Sequence, residues 1–157
     1  GKLRLNAIRY YLHTYKAIQE RIAEITENLN TYRVMNIEDF IFPRTGQASE
    51  SQHYKHNAVS EVEQISIPRL DYIRKQEQEL FRLTTIRSAI NAVILGYDEK
   101  SNEWQILKLR YFEKDRKGRS RTWYRIADML GYSEQHVKRL DSEICEAIAK
   151  EMRKLRE

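Results

Sequence analysis

The sequence predicts an all-α protein in which a long N-terminal helical hairpin or coiled coil precedes a C-terminal helix-turn-helix bundle. Only five Gly and two Pro occur among the 157 residues, so long stretches contain no residue that would break a helix. Apolar residues recur at helical spacing over two long segments. Nearer the C-terminus, a short segment contains a small residue, a glycine and a helix-capping residue, in the order that two crossing helices require.

The first segment, residues 2–33, carries two interleaved apolar series. Each repeats every seven residues, and together they comprise Ile8, Tyr11, Tyr15, Ile18, Ile22, Ile25, Leu29 and Tyr32. Steps of three and four over roughly four heptads are typical of a coiled-coil seam, so we expect one long helix. The seam can pack against a helix of the same chain or against a second copy. Both hold if hairpins from two subunits form a four-helix bundle, and we expect a homo-oligomer joined through these helices.

The middle of the chain predicts a loop followed by a second long helix. Residues 44–52 are small and polar, which favours a flexible loop over about 43–58 that is either functional or disordered. Pro68 suits the first turn of a helix and Ser66 can cap it. Apolar residues then recur up to Gly96, a typical C-terminal stop, so this helix is the natural in-chain partner of the first.

The break at Gly96 divides the chain into two predicted domains. Residues 1–96 form a helical oligomerisation and interaction domain, and residues 97–157 form the helix-turn-helix domain. In the second domain we expect three helices, over about 102–112, 122–130 and 133–155.

Composition excludes several classes of protein. The single cysteine, Cys145, rules out an intrachain disulfide and a cysteine-rich zinc site, and we expect a packed thiol. No run of about 18 apolar residues occurs, so we expect a cytoplasmic protein without a membrane partner. Neither a Walker A loop nor a Gly-x-Gly-x-x-Gly loop is present. His53 and His56 lack a third ligand nearby. We therefore expect no enzyme activity, no metal and no cofactor.

The helix-turn-helix prediction depends on four kinds of residue between 122 and 142. Ala127 is small where a second helix would cross. Gly131 follows four residues later and tolerates the left-handed conformation of a turn. Ser133 can cap the next helix. Four apolar residues are spaced to close a small core between the helices: Ile126, Leu130, Val137 and Leu140.

Positive charge is concentrated around this motif. Residues 104–140 contain ten Lys or Arg and four Asp or Glu, whereas the rest of the chain contains 18 and 19. The net charge of +5 therefore comes from this segment. Such clustering attracts phosphates and makes binding salt-dependent, which indicates double-stranded DNA as the partner.

The predicted DNA contacts follow from how this motif docks. The N-terminal half of its second helix enters the major groove, so we expect base contacts from Ser133, Glu134, Gln135, Lys138 and Arg139. For Lys138 and Arg139 a phosphate contact is the alternative. We expect backbone contacts from Lys114, Arg116, Lys117, Arg119, Arg121, Arg125 and His136. A solvated loop is the alternative for residues 114–121.

Residues 122–140 with 147–150 resemble region 4 of sigma-70-type factors, and residues 106–112 resemble the helix preceding its motif. The order and size of the chain also resemble the RinA-like and ArpU-like late-gene regulators of bacteriophages. This resemblance implies a transcriptional activator of phage late genes that contacts host RNA polymerase in the host bacterial cytoplasm. Nothing in residues 2–95 resembles a promoter-melting module, so an accessory activator is favoured over a sigma factor.

Two other functions fit the same pattern. A DNA-recognition subunit for phage packaging, similar to a small terminase, also combines a helix-turn-helix with oligomerising helices. A polymerase-binding adaptor that reads no DNA would use the apolar face of the last helix, which could equally belong to the core. That face comprises Ile144, Ile148, Met152 and Leu155.

Overall fold

The computed structural model describes residues 2–41 and 58–156, and helices make up most of them. The six α-helices are α1 (Lys2–His13), α2 (Tyr15–Ile41), α3 (Ala58–Leu95), α4 (Asn102–Leu107), α5 (Trp123–Leu130) and α6 (Glu134–Arg156). A π-helical turn, Lys108–Phe112, continues α4. No strand occurs in these two ranges, so the predicted all-α class is confirmed.

The predicted first helix is interrupted at Thr14 and extends further, to Ile41. Backbone hydrogen bonds continue through the interruption: the Thr14 amide donates to the Tyr10 carbonyl at 3.0 Å, and the Ile18 amide donates to the Thr14 carbonyl at 2.9 Å. The Thr14 hydroxyl also donates to the Tyr10 carbonyl, at 2.8 Å. A hydroxyl that competes for a helix carbonyl often bends the helix, which accounts for the irregularity at this residue.

Contacts group the chain into two compact units. One unit comprises Gly1–Gln19 with Leu83–Glu157, and the other comprises Glu20–Arg82. This grouping differs from the division at residue 96, because α1 and the C-terminal part of α3 pack with the helix-turn-helix. The separate roles of the two predicted domains, oligomerisation for one and DNA binding for the other, stay a prediction.

Within the Glu20–Arg82 unit, α2 and α3 pack against each other. The predicted seam residues Ile22, Ile25 and Leu29 are buried. The rings of Tyr32 and Tyr72 lie 5.2 Å apart, and the Arg33 guanidinium lies 3.1 Å from the Glu77 carboxylate. An in-chain partner for the seam is therefore confirmed, whereas packing against a second copy stays a prediction.

Helix α3 begins at Ala58, so the predicted start at Pro68 with a Ser66 cap is wrong. Proline favours a first turn, yet a longer helix accommodates it at the loss of one amide donor. Val59, Val62 and Ile65 lie three residues apart, and this helical spacing ahead of Pro68 is the stronger signal. The predicted end is confirmed, since α3 stops at Leu95, just before Gly96. Residues 42–57, with most of the predicted loop and both of its histidines, lie outside the described residues.

In the unit Gly1–Gln19 with Leu83–Glu157, most of the apolar face of α6 that was predicted to serve an adaptor belongs to the core. Ile144, Ile148 and Met152 on α6 are buried, and only Leu155, 46% exposed, remains at the surface. Cys145 is also fully buried, and burial raises the pKa of its thiol to about 12, with a further contribution from the negative charge of Asp141. The expected packed thiol is confirmed. None of the helices described is long and apolar enough to cross a membrane.

Candidate nucleic-acid interface

The turn between α5 and α6 has the geometry of a helix-turn-helix. Thr122 caps α5, since its hydroxyl accepts the Arg125 amide at 3.1 Å. Gly131 ends α5 in the left-handed conformation, with a φ of 75°. The Ser133 hydroxyl accepts the His136 amide at 3.1 Å and so caps α6. The predicted roles of Gly131 and Ser133 are confirmed, while Thr122 is a cap that the sequence analysis did not assign.

A small apolar core holds the two helices together. Ile126 and Val137 are fully buried, and Ala127 and Leu140 nearly so, while Leu130 is half-buried. The methyl side chain of Ala127 leaves room for α6 to pass close by. The first turn of α6 is thereby fixed in place, with its outer side in solvent.

The recognition surface consists of five exposed residues at the start of α6: Ser133, Glu134, Gln135, Lys138 and Arg139. Gln135 and Arg139 stand one helical turn apart, so their side chains share a face. Glu134 and Lys138 are likewise one turn apart, and their charged groups lie 3.3 Å from each other. An exposed pair of this kind contributes little, so DNA can displace it at small cost.

His136 orients Arg139. Its Nδ1 lies 3.0 Å from the Arg139 guanidinium, and its ring lies 4.8 Å from the ring of Tyr132. Because a guanidinium has no acceptor, Nδ1 accepts this bond, and Nε2 is the ring nitrogen that can donate to a phosphate. Together with Ser133 and Gln135, these two side chains line an open depression of about 350 Å³.

The basic loop, residues 114–121, is an ordered turn built around its one acid. The Asp115 carboxylate accepts the backbone amides of Lys117 at 2.9 Å and Arg119 at 2.8 Å, while Gly118 takes the left-handed conformation. The hydrogen bond from the Arg119 amide is the largest influence that lowers the pKa of Asp115, and the bond from the Lys117 amide lowers it further. An Asp followed three residues later by Gly is a turn signal, so the sequence contained this information.

Most predicted backbone contacts lie at the surface around this loop. Lys114, Arg116, Lys117 and Arg119 are exposed. The loop and the start of α5 border a depression of about 760 Å³, whose exposed cations are Arg116, Lys117, Arg119 and Arg125. This concentration of positive charge at the basic loop and the start of α5 suits contact with the phosphates of a DNA strand.

Arg121 differs from the other cations of the basic loop. Its side chain is 14% exposed, and its guanidinium lies 2.9 Å from the Glu113 carboxylate. It also donates to the backbone carbonyls of Leu109 at 3.2 Å and Glu113 at 3.0 Å. These bonds hold Arg121 in the loop, and its low exposure makes it less accessible to a phosphate than the other cations of the loop.

A buried polar network lies behind α6, the recognition helix, and its residues were not among those predicted for the site. Asp141, with no exposed surface, accepts the Arg9 Nε at 2.8 Å and the Tyr111 hydroxyl at 2.5 Å. Arg9 also donates to the Ser142 hydroxyl at 3.1 Å. Burial raises the pKa of Tyr111, and the Asp141 carboxylate raises it further. No spacing rule connects residues so far apart in the chain, so no sequence pattern indicates this network.

Residues 100–150 match the family described as Sigma-70, region 4. The match begins just before α4 and covers the π-helical turn, the basic loop, α5 and most of α6, about a third of the chain. This part of the protein is therefore a DNA-binding helix-turn-helix of the sigma-70 region 4 type, consistent with a transcriptional regulator. No curated protein and no solved structure matches the chain.

Proposed function

We propose that the protein is a sequence-specific transcriptional activator of bacteriophage late genes that acts with host RNA polymerase in the bacterial cytoplasm. The observation that carries this proposal is the exposed pair Gln135 and Arg139 on the first turns of α6, within a segment matching Sigma-70, region 4. Gln pairs with adenine and Arg with guanine through two hydrogen bonds each, so this surface suits base reading. The protein would act by binding, without an enzymatic step.

Activation is favoured over a pure adaptor role by the burial of the last helix. An adaptor that reads no DNA needs another docking face, and three of the four residues of the predicted face are in the core. The recognition surface, by contrast, is exposed. The resemblance to phage late-gene regulators supports the biological setting.

We further propose that the protein binds DNA as a homo-oligomer through the Glu20–Arg82 unit. Four large apolar or aromatic side chains of this unit are exposed: Val34, Met35, Leu70 and Tyr72. Exposed apolar surface of this kind is available to a second copy of the chain. A symmetric pair of helix-turn-helix motifs would read two half-sites.

Selection of bound duplexes from a random pool, at near-physiological salt and with the intact chain, tests the function. Enrichment of one motif, followed by stimulation of transcription from a promoter that carries it, is the expected result. A repeated half-site in the motif would report an oligomer. Binding without enrichment argues against base reading, and an enriched motif without any promoter effect favours the packaging function.

Neutralising two cations of the basic loop should weaken binding to all duplexes alike. We expect Lys117→Gln with Arg119→Gln to reduce the slope of log K against log salt by about 1.8, since each lost phosphate contact removes about 0.9. Base preference should not change. Filter binding at four salt concentrations, on selected and random duplexes, measures both.

The matched control changes the same charge at the far end of α6, with Lys150→Gln and Arg153→Gln, both exposed. These residues lie about three to four turns beyond the recognition surface, so the slope should stay unchanged. An equal loss of slope in the two double variants would show that net charge alone, rather than the basic loop, determines affinity.

A further inference from the structure

We infer that helix α1 belongs to the DNA-binding face, and that a crevice between α1 and α6 receives one phosphate of the DNA backbone. This inference rests on the proposed function, because it extends the same interface. It assigns a role to a helix that lies outside the residues matched to Sigma-70, region 4. It also decides between the two predicted roles of Lys138, in favour of a phosphate contact.

The crevice, called here the α1–α6 crevice, has a volume of about 440 Å³ and is open on one side. Helices α1 and α6 supply two of its walls, with Asn6, Arg9, His13, Lys138, Asp141 and Ser142. Lys138 belongs to both the crevice and the recognition surface. A DNA strand that borders the major groove at α6 therefore passes the mouth of the crevice.

The charges in the crevice favour an anion. Arg9, Arg110 and Lys138 contribute three positive charges against the single carboxylate of Asp141. Both Asp141 oxygens are already occupied, one by the Arg9 Nε and the other by the Tyr111 hydroxyl. His13 responds to this environment: burial lowers its pKa, and the positive charges of Arg110 and Lys114 lower it further.

Hydrogen-bond donors remain available for a phosphate. The Arg9 guanidinium has five N–H groups, of which three bond to Asn6, Asp141 and Ser142. Two are left. Among the described residues, the ion-pair partner of Lys138 is the exposed Glu134. The Nε of Arg110 is buried and meets no acceptor among the described residues. A buried N–H donor without an acceptor destabilises the protein, and the negative charge of a phosphate bound nearby would offset part of that cost.

The network around Asp141 fixes α1 in this place. Arg9 reaches across from α1 to Asp141 and Ser142 on α6, and the His13 ring lies 4.6 Å from the ring of Tyr111. The side chains of α1 are thus held against the recognition helix before DNA arrives. Such preorganisation reduces the entropy lost on binding.

Scanning the duplex with neutral methylphosphonate linkages, one position at a time, tests the inference on the full chain. At the position that faces the crevice, wild-type affinity should fall about tenfold near 0.1 M salt, as expected for one lost phosphate contact. Lys138→Gln should bind normal DNA about tenfold more weakly and respond little to the same linkage, because that contact is already missing. His13→Leu should blunt the response at the same position. Lys150→Gln, the control, should behave as wild type.

Three outcomes would overturn the inference. The first is a changed base preference in Lys138→Gln, which would make Lys138 a base-reading residue. The second is an unchanged response to every linkage in both variants. The third is saturable binding of inorganic phosphate without any position-specific effect of the linkages, which would assign the crevice to free phosphate.

Two further measurements distinguish a failure of this inference from an unfolded variant and from a failure of the proposed function. Where His13→Leu unfolds the protein, the imidazole signals of His13 in the wild-type chain provide the second measurement, and they should shift when DNA binds. Unshifted signals would count against α1. A phosphate contact does not depend on sequence, so Lys138→Gln should also weaken binding to a random duplex, whereas the control Lys150→Gln should not. The proposed regulatory function can thus fail in the selection experiment while the crevice contact is upheld.

Discussion

Replacing Asp141 with leucine is expected to lower the free energy of unfolding by about 2–4 kcal/mol. The change leaves the buried Tyr111 hydroxyl without an acceptor and the Arg9 guanidinium without its partner. Loss of one member of a buried ion pair costs about 3–5 kcal/mol, and the lower figure here reflects the 28% exposure of the Arg9 side chain. Urea denaturation followed by circular dichroism measures the change.

Two companion variants make this result specific. Asp128→Asn removes the same charge from an exposed pair on α5, 3.6 Å from Arg125, and should change stability by less than about 0.5 kcal/mol. Arg9→Met combined with Asp141→Leu removes both partners, so part of the loss should be recovered. A loss in the double variant equal to the sum of the losses in Asp141→Leu and Arg9→Met alone would mean that Arg9 and Asp141 are not coupled.

Replacing Arg139 with alanine is expected to weaken binding to the selected site by about 1–3 kcal/mol and to relax the preference at one base pair. The reason is that two hydrogen bonds to one guanine are lost, while the phosphate contacts remain. Competition with duplexes changed at single base pairs measures the preference. Arg153→Ala, on the same helix and also exposed, is the matched control and should bind as wild type.

Gln135→Ala should give a similar loss at a neighbouring base pair, because Gln135 and Arg139 share one face of α6. His136→Ala offers a finer test. It removes the acceptor that orients the Arg139 guanidinium, so it should weaken the preference at the base pair that Arg139 reads. Preferences at the other base pairs should not change. A uniform loss over all sequences in both Gln135→Ala and Arg139→Ala would place these two side chains on phosphates and refute base reading.

The sequence predicted the helix-turn-helix well because that motif is local. Ala127, Gly131 and Ser133 each act within a few residues of their own position, through a small side chain, a left-handed turn and a cap. The start of α3 was misjudged at Pro68, because a proline favours a helix start without requiring one. The helical spacing of the apolar residues ahead of it was the better guide.

Other parts of the site were beyond the reach of sequence patterns. A charged residue in a basic loop looks the same whether it faces solvent or, like Arg121, bonds to nearby carbonyls. The partners Arg9 and Asp141 are 132 residues apart, and only the packing of α1 on α6 brings them together. Long-range pairings of polar groups depend on tertiary structure, which no local periodicity encodes.

The grouping of Gly1–Gln19 with Leu83–Glu157 affects how the protein matures on the ribosome. Helix α1 leaves the exit tunnel well before the π-helical turn and α6, which pack against it and help to bury Ile8 and Leu12. The unit that carries the helix-turn-helix therefore closes only after α6 has emerged, and loop closure over such a separation slows folding. A polypeptide that stops short of α6 leaves the apolar face of α1 uncovered, which makes prematurely terminated chains targets for chaperones and proteases.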